Sequence, residues 1–210
     1  NATLSASRLT GTAKADQTLT ASGSLIINPY QRRADAAALQ PVDALGAKWR
    51  FVGADVVHRG VIDTPAGAVW MKATAGGVTV DSAARILAAG RIVDFSRPDQ
   101  GLEEALYVSG GSIGLESSQG DIEIRNGALL DVAGTPGGSA GAVSLLAPQG
   151  DIRIAQGSLA GGATPLPQRQ NISGGRFKYD AARLADFSGL NRLLNSAGFS
   201  GARYLQARTG

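Results

Sequence analysis

The sequence predicts an all-β chain of stacked repeats that closes into a triangular parallel β-helix, and three observations carry that expectation. First, a unit recurs. Gly111, Ile113, Leu115, Gly120, Asp121, Ile122, Ile124 and Gly127 of GSIGLESSQGDIEIRNG fall on Gly141, Val143, Leu145, Gly150, Asp151, Ile152, Ile154 and Gly157 of GAVSLLAPQGDIRIAQG. An earlier copy, GAVWMKATAGGVTVDSAARILAAG from Gly67 to Gly90, joins the frame through Val69, Met71, Gly76, Val78 and Val80. Self-similarity at a period of roughly twenty to thirty residues means units that complete one another's core by stacking. Second, each later unit resolves into three short runs, near 112–117, 121–125 and 128–133, then 142–147, 151–155 and 157–160. Such runs are too short for helices and are bounded by glycine corners. Third, the chain is 43% hydrophobic but only 5% aromatic, with 29 glycines, which suits a thin core of Val, Ile, Leu and Ala crossed by many turns.

Taken in order, residues 1–29 hold two alternating runs around Leu4 to Leu9 and Leu19 to Ile27, which predict strands. Tyr30 to Leu45 leaves the pattern, with one or two helical turns expected before Pro41, so an excursion is placed at about 29–46. From Ala47, strand chemistry returns, Trp49 and Phe51 alternating with Lys48 and Arg50. In the first full repeat Val69, Met71, Val78 and Val80 face inward while Trp70, Lys72 and Thr79 face outward. Arg91 to Phe95 is expected to continue the stack, SRPDQGLEEAL to form an excursion at about 96–106, and Tyr107 and Val108 to rejoin.

In the later repeats Ile122 stacks over Ile152 and Ile124 over Ile154. The third strand aligns Arg85 with Leu129 and Leu159, and Gly120, Gly127, Gly150 and Gly157 are expected to turn the chain at positive φ. A last excursion spans about 163–201 and reads helical at about 180–197. Asp180 is its expected N-cap, Leu184, Phe187, Leu190, Leu193 and Leu194 its apolar stripe, Gly198 its stop, and Gly189 a break with Ser188 capping the second half. Ala202 to Arg208 alternates as the start of another coil. Residues 1–210 thus read as a single β-helix segment with three excursions.

Composition limits function. A net charge of +3, with basic residues scattered along the chain, argues against a nucleic-acid partner. The absence of cysteine removes disulfides, Cys-type zinc sites and thiol nucleophiles. No apolar run of about 18 residues spans a membrane and no charged-then-apolar signal peptide opens the chain. Starting at Asn1, the sequence reads as an interior piece.

Each chemical candidate has a plainer explanation. Asp94, Asp99, Glu103 and Glu104, with Arg97 nearby, are the densest acidic group, and a loop of solvated charges accounts for them. Asp121 and Asp151 recur in register, but the nonapeptide pattern of calcium-binding β-rolls is missing, so each is read as satisfying turn amides beside its glycine. Glu123 and Arg153 are expected to pair across coils. His58 is the only histidine and reads as a satisfied or exposed strand residue. The stripe of Phe187, Leu190, Leu193 and Leu194 is expected to pack on the outside of the stack. Trp70 is the better single candidate for a contact surface. The sequence therefore predicts no catalytic, cofactor-binding or metal-binding residues.

The series from WRFVGADV at Trp49 through the three repeats to DFSGLNRLLNSAGFSGARYLQARTG at Asp186 resembles the filamentous haemagglutinin-like exoproteins of two-partner secretion systems. The resemblance implies a long right-handed β-helix, exported by an outer-membrane transporter partner and displayed or released at the bacterial cell surface as an adhesin or effector-delivery stalk. The amino-terminal secretion domain of that family is not recognisable here, so the transporter is not expected to bind through this segment. The expected role is a structural and adhesive rod segment whose receptor or glycan is unnamed, and not an enzyme. The alternative is a carbohydrate-active β-helix enzyme such as a polysaccharide lyase. Open strand edges at the ends of such a segment predict some end-to-end self-association.

Overall fold

A computed structural model describes residues 1–30, 42–101 and 104–208. The chain opens with β1 (Ala2–Ala6), β2 (Asp16–Thr20) and β3 (Leu25–Pro29). Strands then come in threes: β4 (Lys48–Gly53), β5 (Val56–His58) and β6 (Val61–Asp63), followed by β7 (Ala68–Ala73), β8 (Val78–Val80) and β9 (Arg85–Leu87). After β10 (Arg91–Asp94) and β11 (Ala105–Val108) the threes resume. These are β12 (Ser112–Ser117), β13 (Ile122–Ile124) and β14 (Leu129–Asp131), then β15 (Ala142–Ala147), β16 (Ile152–Ile154) and β17 (Leu159–Ala160). Finally come β18 (Arg176–Ala181), helix α1 (Phe187–Ser196) and β19 (Ala202–Ala207).

The fold is all-β with parallel sheets. A seven-stranded sheet runs β2-β4-β7-β12-β15-β18-β19, a six-stranded sheet β1-β3-β5-β8-β13-β16, and a four-stranded sheet β6-β9-β14-β17. Parallel register stacks like on like, so the alternation within each strand becomes an inward ladder between strands. Phe51, Met71, Leu115 and Leu145 form one such row. Leu25, Val56, Val78 and Ile122 form another, with Ile122 over Ile152 and Ile124 over Ile154. The third is Ile62, Ile86, Leu130 and Leu159. All three rows belong to one buried core, and each such side chain contributes about 1.5 to 3 kcal/mol.

The third row corrects the expected register. Arg85 does pair with Leu129, but Leu159 pairs with Leu130, because the turn after Ile154 is one residue shorter than the turn after Ile124. Arg85 and Leu129 are consequently the outward neighbours of the buried Ile86 and Leu130.

The corner glycines divide into two kinds. Gly127 and Gly157 have φ of 86° and 71°, as expected. Gly120 and Gly150 do not adopt positive φ; they are glycines because successive repeats touch. A Cβ at Gly150 would lie 2.0 Å from the Gly120 carbonyl oxygen, and one at Gly120 would lie 2.7 Å from that of Gly76. The same close approach recurs at the entry to the seven-stranded sheet, where a Cβ at Gly141 would meet the Gly111 oxygen at 1.8 Å and one at Gly111 the Gly67 oxygen at 1.9 Å.

Two further expectations are corrected. Arg91 to Phe95 does not continue the stack, and Tyr107 and Val108 do not rejoin it. β10 and β11 pair with each other, antiparallel, as a separate hairpin in which Ile92 faces Tyr107 and Val93 faces Leu106. Both segments alternate and are separated by Pro98 and Gly101, which is hairpin chemistry. At the other end, Asp180 caps no helix. RFKYDA is strand β18, with Phe177 and Tyr179 buried between exposed Arg176 and Lys178. The helix starts at Phe187 with Asp186 as N-cap, its carboxylate accepting the Gly189 N–H at 2.7 Å, so Gly189 lies inside the first turn and breaks nothing. The helical turns expected before Pro41 lie outside the described residues.

The helix closes an end of the core instead of shielding its flank. The seven-stranded sheet continues into β18 and β19, whereas the other two sheets stop at β16 and β17. α1 lies between β18 and β19 in the chain and fills the place of the missing strands. Leu190 and Leu193 line a cavity of about 270 Å³ together with Ile152 and Ile154 of β16, and Leu194 and Phe199 are fully buried, Phe199 packing edge-on against Phe177 at 5.6 Å. Phe187 points away and is 58% exposed.

Two insertions enter at the same junction. Steps from the seven-stranded to the six-stranded sheet hardly vary (Ala68 to Val78, Ser112 to Ile122, Ala142 to Ile152), and neither do those from the six- to the four-stranded sheet. The return to the seven-stranded sheet is short from β6 to β7, but carries the β10–β11 hairpin before β12 and the stretch 161–175 before β18.

Candidate functional site

Because insertions enter at that junction, they emerge side by side and bind one another. Arg91 at the base of the hairpin donates to the Val42 carbonyl and reaches Asp43 at 3.4 Å. Arg169 from the later insertion lies over the Tyr107 ring, 4.6 Å from its centroid, while its Nε donates to the Gly137 carbonyl at 2.9 Å. Main-chain bonds from Gly110 to Ser139 and from Ala140 to Ser173, each 2.9 Å, tie the same ridge together. Its outer surface is apolar at Ile92, Phe95 and Leu106, all between 44% and 53% exposed. Large apolar side chains left in water on a cross-braced ridge suit contact with a partner.

The acidic group lies at the tip of this ridge. Asp94, Arg97 and Glu104 line a solvent-open depression of about 660 Å³ with Phe95, Ser96 and Gln100, while Asp99 sits on the single 3-10 turn Pro98–Gln100. Glu103 lies outside the described residues. Asp94 accepts the Ser96 N–H at 2.8 Å, and hydrogen bonding from Ser96 holds its carboxyl below the usual carboxylate range. A carboxylate held ionised and exposed is a poor general acid and suits a loop brace. Among the described residues no group of three or more His, Asp or Glu side chains is placed to hold a metal ion.

Asp121 and Asp151 are brought into one column, but they do not close their own turns. Asp121 Oδ1 accepts the N–H of Asp151, one repeat on, at 2.8 Å, while its Oδ2 takes both terminal nitrogens of Arg153 at 2.9 and 2.7 Å. Asp151 in turn holds Arg183 at 2.7 Å, which keeps the Asp151 carboxyl below its ordinary value. Arg208 grips Asp180 in the same way with two bonds of 2.7 Å. Glu123 and Arg153 are neighbours in register but do not pair; Glu123 binds Arg125 at 3.0 Å, and Arg125 also reaches Asp81. These Asp-to-Arg staples were missed in the sequence, although an Asp followed by an Arg about one period later was there to be read.

Of the two expectations for His58, a satisfied or an exposed strand histidine, the structure shows the buried one, bonded at one ring nitrogen. It is fully buried in the ladder between Ile27 and Val80, its Nε2 3.1 Å from the Arg85 carbonyl and its Nδ1 without a hydrogen-bond partner. Burial depresses its pKa to about 4, so near neutral pH it is an uncharged Nε2–H donor. Trp70 faces outward as expected, but lies against the sheet over Gly114. Compared with known protein families, with curated proteins and with solved structures, the chain matches none.

Proposed function

We propose that this chain is a segment of a right-handed, triangular parallel β-helix, acting as a structural and adhesive rod within a large bacterial surface exoprotein of the filamentous haemagglutinin-like, two-partner secretion kind. In this reading an outer-membrane transporter exports the parent protein through another segment, the chain is secreted or surface-displayed, and it is not an enzyme. The observation that supports the reading is the stacking of three parallel, registered sheets on one core, with two of the insertions entering at the same junction and joined in one cross-braced ridge. A shaft supplies reach, and a ridge with exposed Ile92, Phe95 and Leu106 supplies contact.

The test replaces the hairpin, residues 91–108, by a short Asn-Gly turn and measures attachment of protein-coated beads to epithelial and bacterial cells. Attachment by the intact chain that is lost on replacement, with an unchanged thermal midpoint and a β-dominated circular dichroism spectrum, supports the proposal. Equal attachment by both proteins, or by neither, overturns it. So does turnover of a polysaccharide substrate that Asp94→Ala abolishes.

A further inference from the structure

The six-stranded sheet stops one strand short of covering its own core. The Ile122 N–H donates to the Asp151 carbonyl and the Ala155 N–H to the Ile124 carbonyl, each at 2.9 Å, so the inward residues of β13 aim their main-chain groups at β16. The same alternation, carried through the parallel β13–β16 pairing, turns the N–H and C=O groups of Ile152 and Ile154 toward the far edge of β16. None of these four groups has a hydrogen-bond partner among the described residues. The side chains show the same gap. Ile122 and Ile124 are 0% and 2% exposed, whereas Ile152 and Ile154, the next members of the same rows, are only half-buried.

The chain that follows β18 is tied to other groups. The Ala182 N–H bonds to the Ala147 and Gly150 carbonyls at 3.2 and 2.9 Å, the Arg183 side chain holds Asp151, and the Arg183 carbonyl accepts the Tyr179 hydroxyl at 2.9 Å. Asp186 then caps α1. Between β16 and α1 remains the cavity of about 270 Å³, lined by Ile152 and Ile154 on one side and by Tyr179, Leu184, Leu190 and Leu193 on the other, with exposed Ala185 and Asp186 at its rim. An apolar hollow and a row of unpaired donors and acceptors therefore lie side by side along β16.

We infer that this place receives an extended peptide segment of a partner protein, of the pattern aliphatic-polar-aliphatic, as a strand parallel to β16. Its two aliphatic side chains prolong the rows Val78–Ile122–Ile152 and Val80–Ile124–Ile154 into the cavity. Its polar residue faces outward in line with Thr79, Glu123 and Arg153, and its main chain bonds to Ile152 and Ile154 as that of Arg153 does to Ile122 and Ile124. An open strand edge with hollows at alternate positions is recognised in this way, the main chain giving affinity and the hollows selectivity. A small apolar molecule would fill the hollow but leave the edge unpaired, at a cost in desolvated polar groups. The inference requires neither the hairpin nor the adhesive reading.

The intact chain is titrated calorimetrically with the peptide acetyl-KTVTVTK-amide. This peptide binds, while acetyl-KTSTSTK-amide, the rearranged acetyl-KTTVVTK-amide and the first peptide N-methylated at its central threonine each bind about tenfold or more weakly. Amide hydrogen exchange slows at Ile152 and Ile154 in the complex. Ala185→Trp, a change at an exposed position on the rim, weakens binding about tenfold or more by crowding the entrance. Leu190→Phe fills the cavity from the helix side with the same result, and keeps the test valid if the first variant lowers the thermal midpoint. The chain with its hairpin replaced binds the peptide as the intact chain does. No binding up to about 1 mM, equal binding of the N-methylated or rearranged peptide, unchanged exchange at Ile152 and Ile154, or full affinity in both variants overturns the inference. Cell attachment through the hairpin without peptide binding removes this site and leaves the adhesive reading standing; peptide binding without attachment does the reverse.

Discussion

His58 occupies a rung of the core that its neighbours fill with Ile27 and Val80, and this makes the stack sensitive to acid. The folded pKa of about 4 lies below the ordinary value of 6.5, so between these values the unfolded chain takes up a proton that the folded chain refuses. Stability is therefore complete above about pH 6.5 and falls as pH drops toward 4, by up to about 3 kcal/mol. The His58→Val variant should flatten that limb, measured as urea midpoints from pH 7 to 4; an unchanged slope would show that other groups set it. Asp81, Asp151 and Asp180 have carboxyls held below their ordinary value of 3.8, so the stability they add is lost at lower pH, outside the His58 window. The inward parity of His58 was readable from Val56, two residues before it. Its burial was not, because a lone histidine is usually solvated and only three-dimensional stacking places apolar residues on both sides.

At the level of elements, the helix shows what local sequence conceals. The stripe of Leu190, Leu193 and Leu194 was legible from its spacing, whereas the start was misplaced because RFKYDA carries residues acceptable to either structure. Tertiary pairing with β15 and β19 decides the matter in favour of a strand. Asp186→Ala removes the acceptor for the Gly189 N–H and should cost about 0.5 to 2 kcal/mol of stability. Asp180→Ala leaves the cap intact and removes the Arg208 staple instead. Hydrogen exchange separates the two, since only the first variant should speed exchange in the opening turn of α1. The β10–β11 hairpin was hidden for a related reason: two alternating segments say strand, but nothing local says whether they pair with each other or with the stack.

Across the whole molecule, the inward ladders were the most legible feature, because a strict repeat in sequence becomes a strict repeat in space. Ile122 lies inside one of them, buried between Val78 and Ile152. Ile122→Asp places an unpaired carboxylate there and should abolish cooperative thermal unfolding; a normal transition would mean that the ladder does not carry the fold. The close-contact glycines and the Asp-to-Arg staples were illegible by comparison, since both depend on how near one repeat sits to the next.

The parallel pairing from β2 to β19 also has a mechanical meaning. Interstrand hydrogen bonds point along the direction in which strands are stacked, so tension applied from β2 to β19 loads them in series, and the weakest contact parts first. Under such tension the stack would lengthen one repeat at a time. The slack released at each step would be unequal, small between Lys48 and Ala68 and large between Ala68 and Ser112, where the hairpin is stored. The insertions would thus act as extensible reserves within the stack.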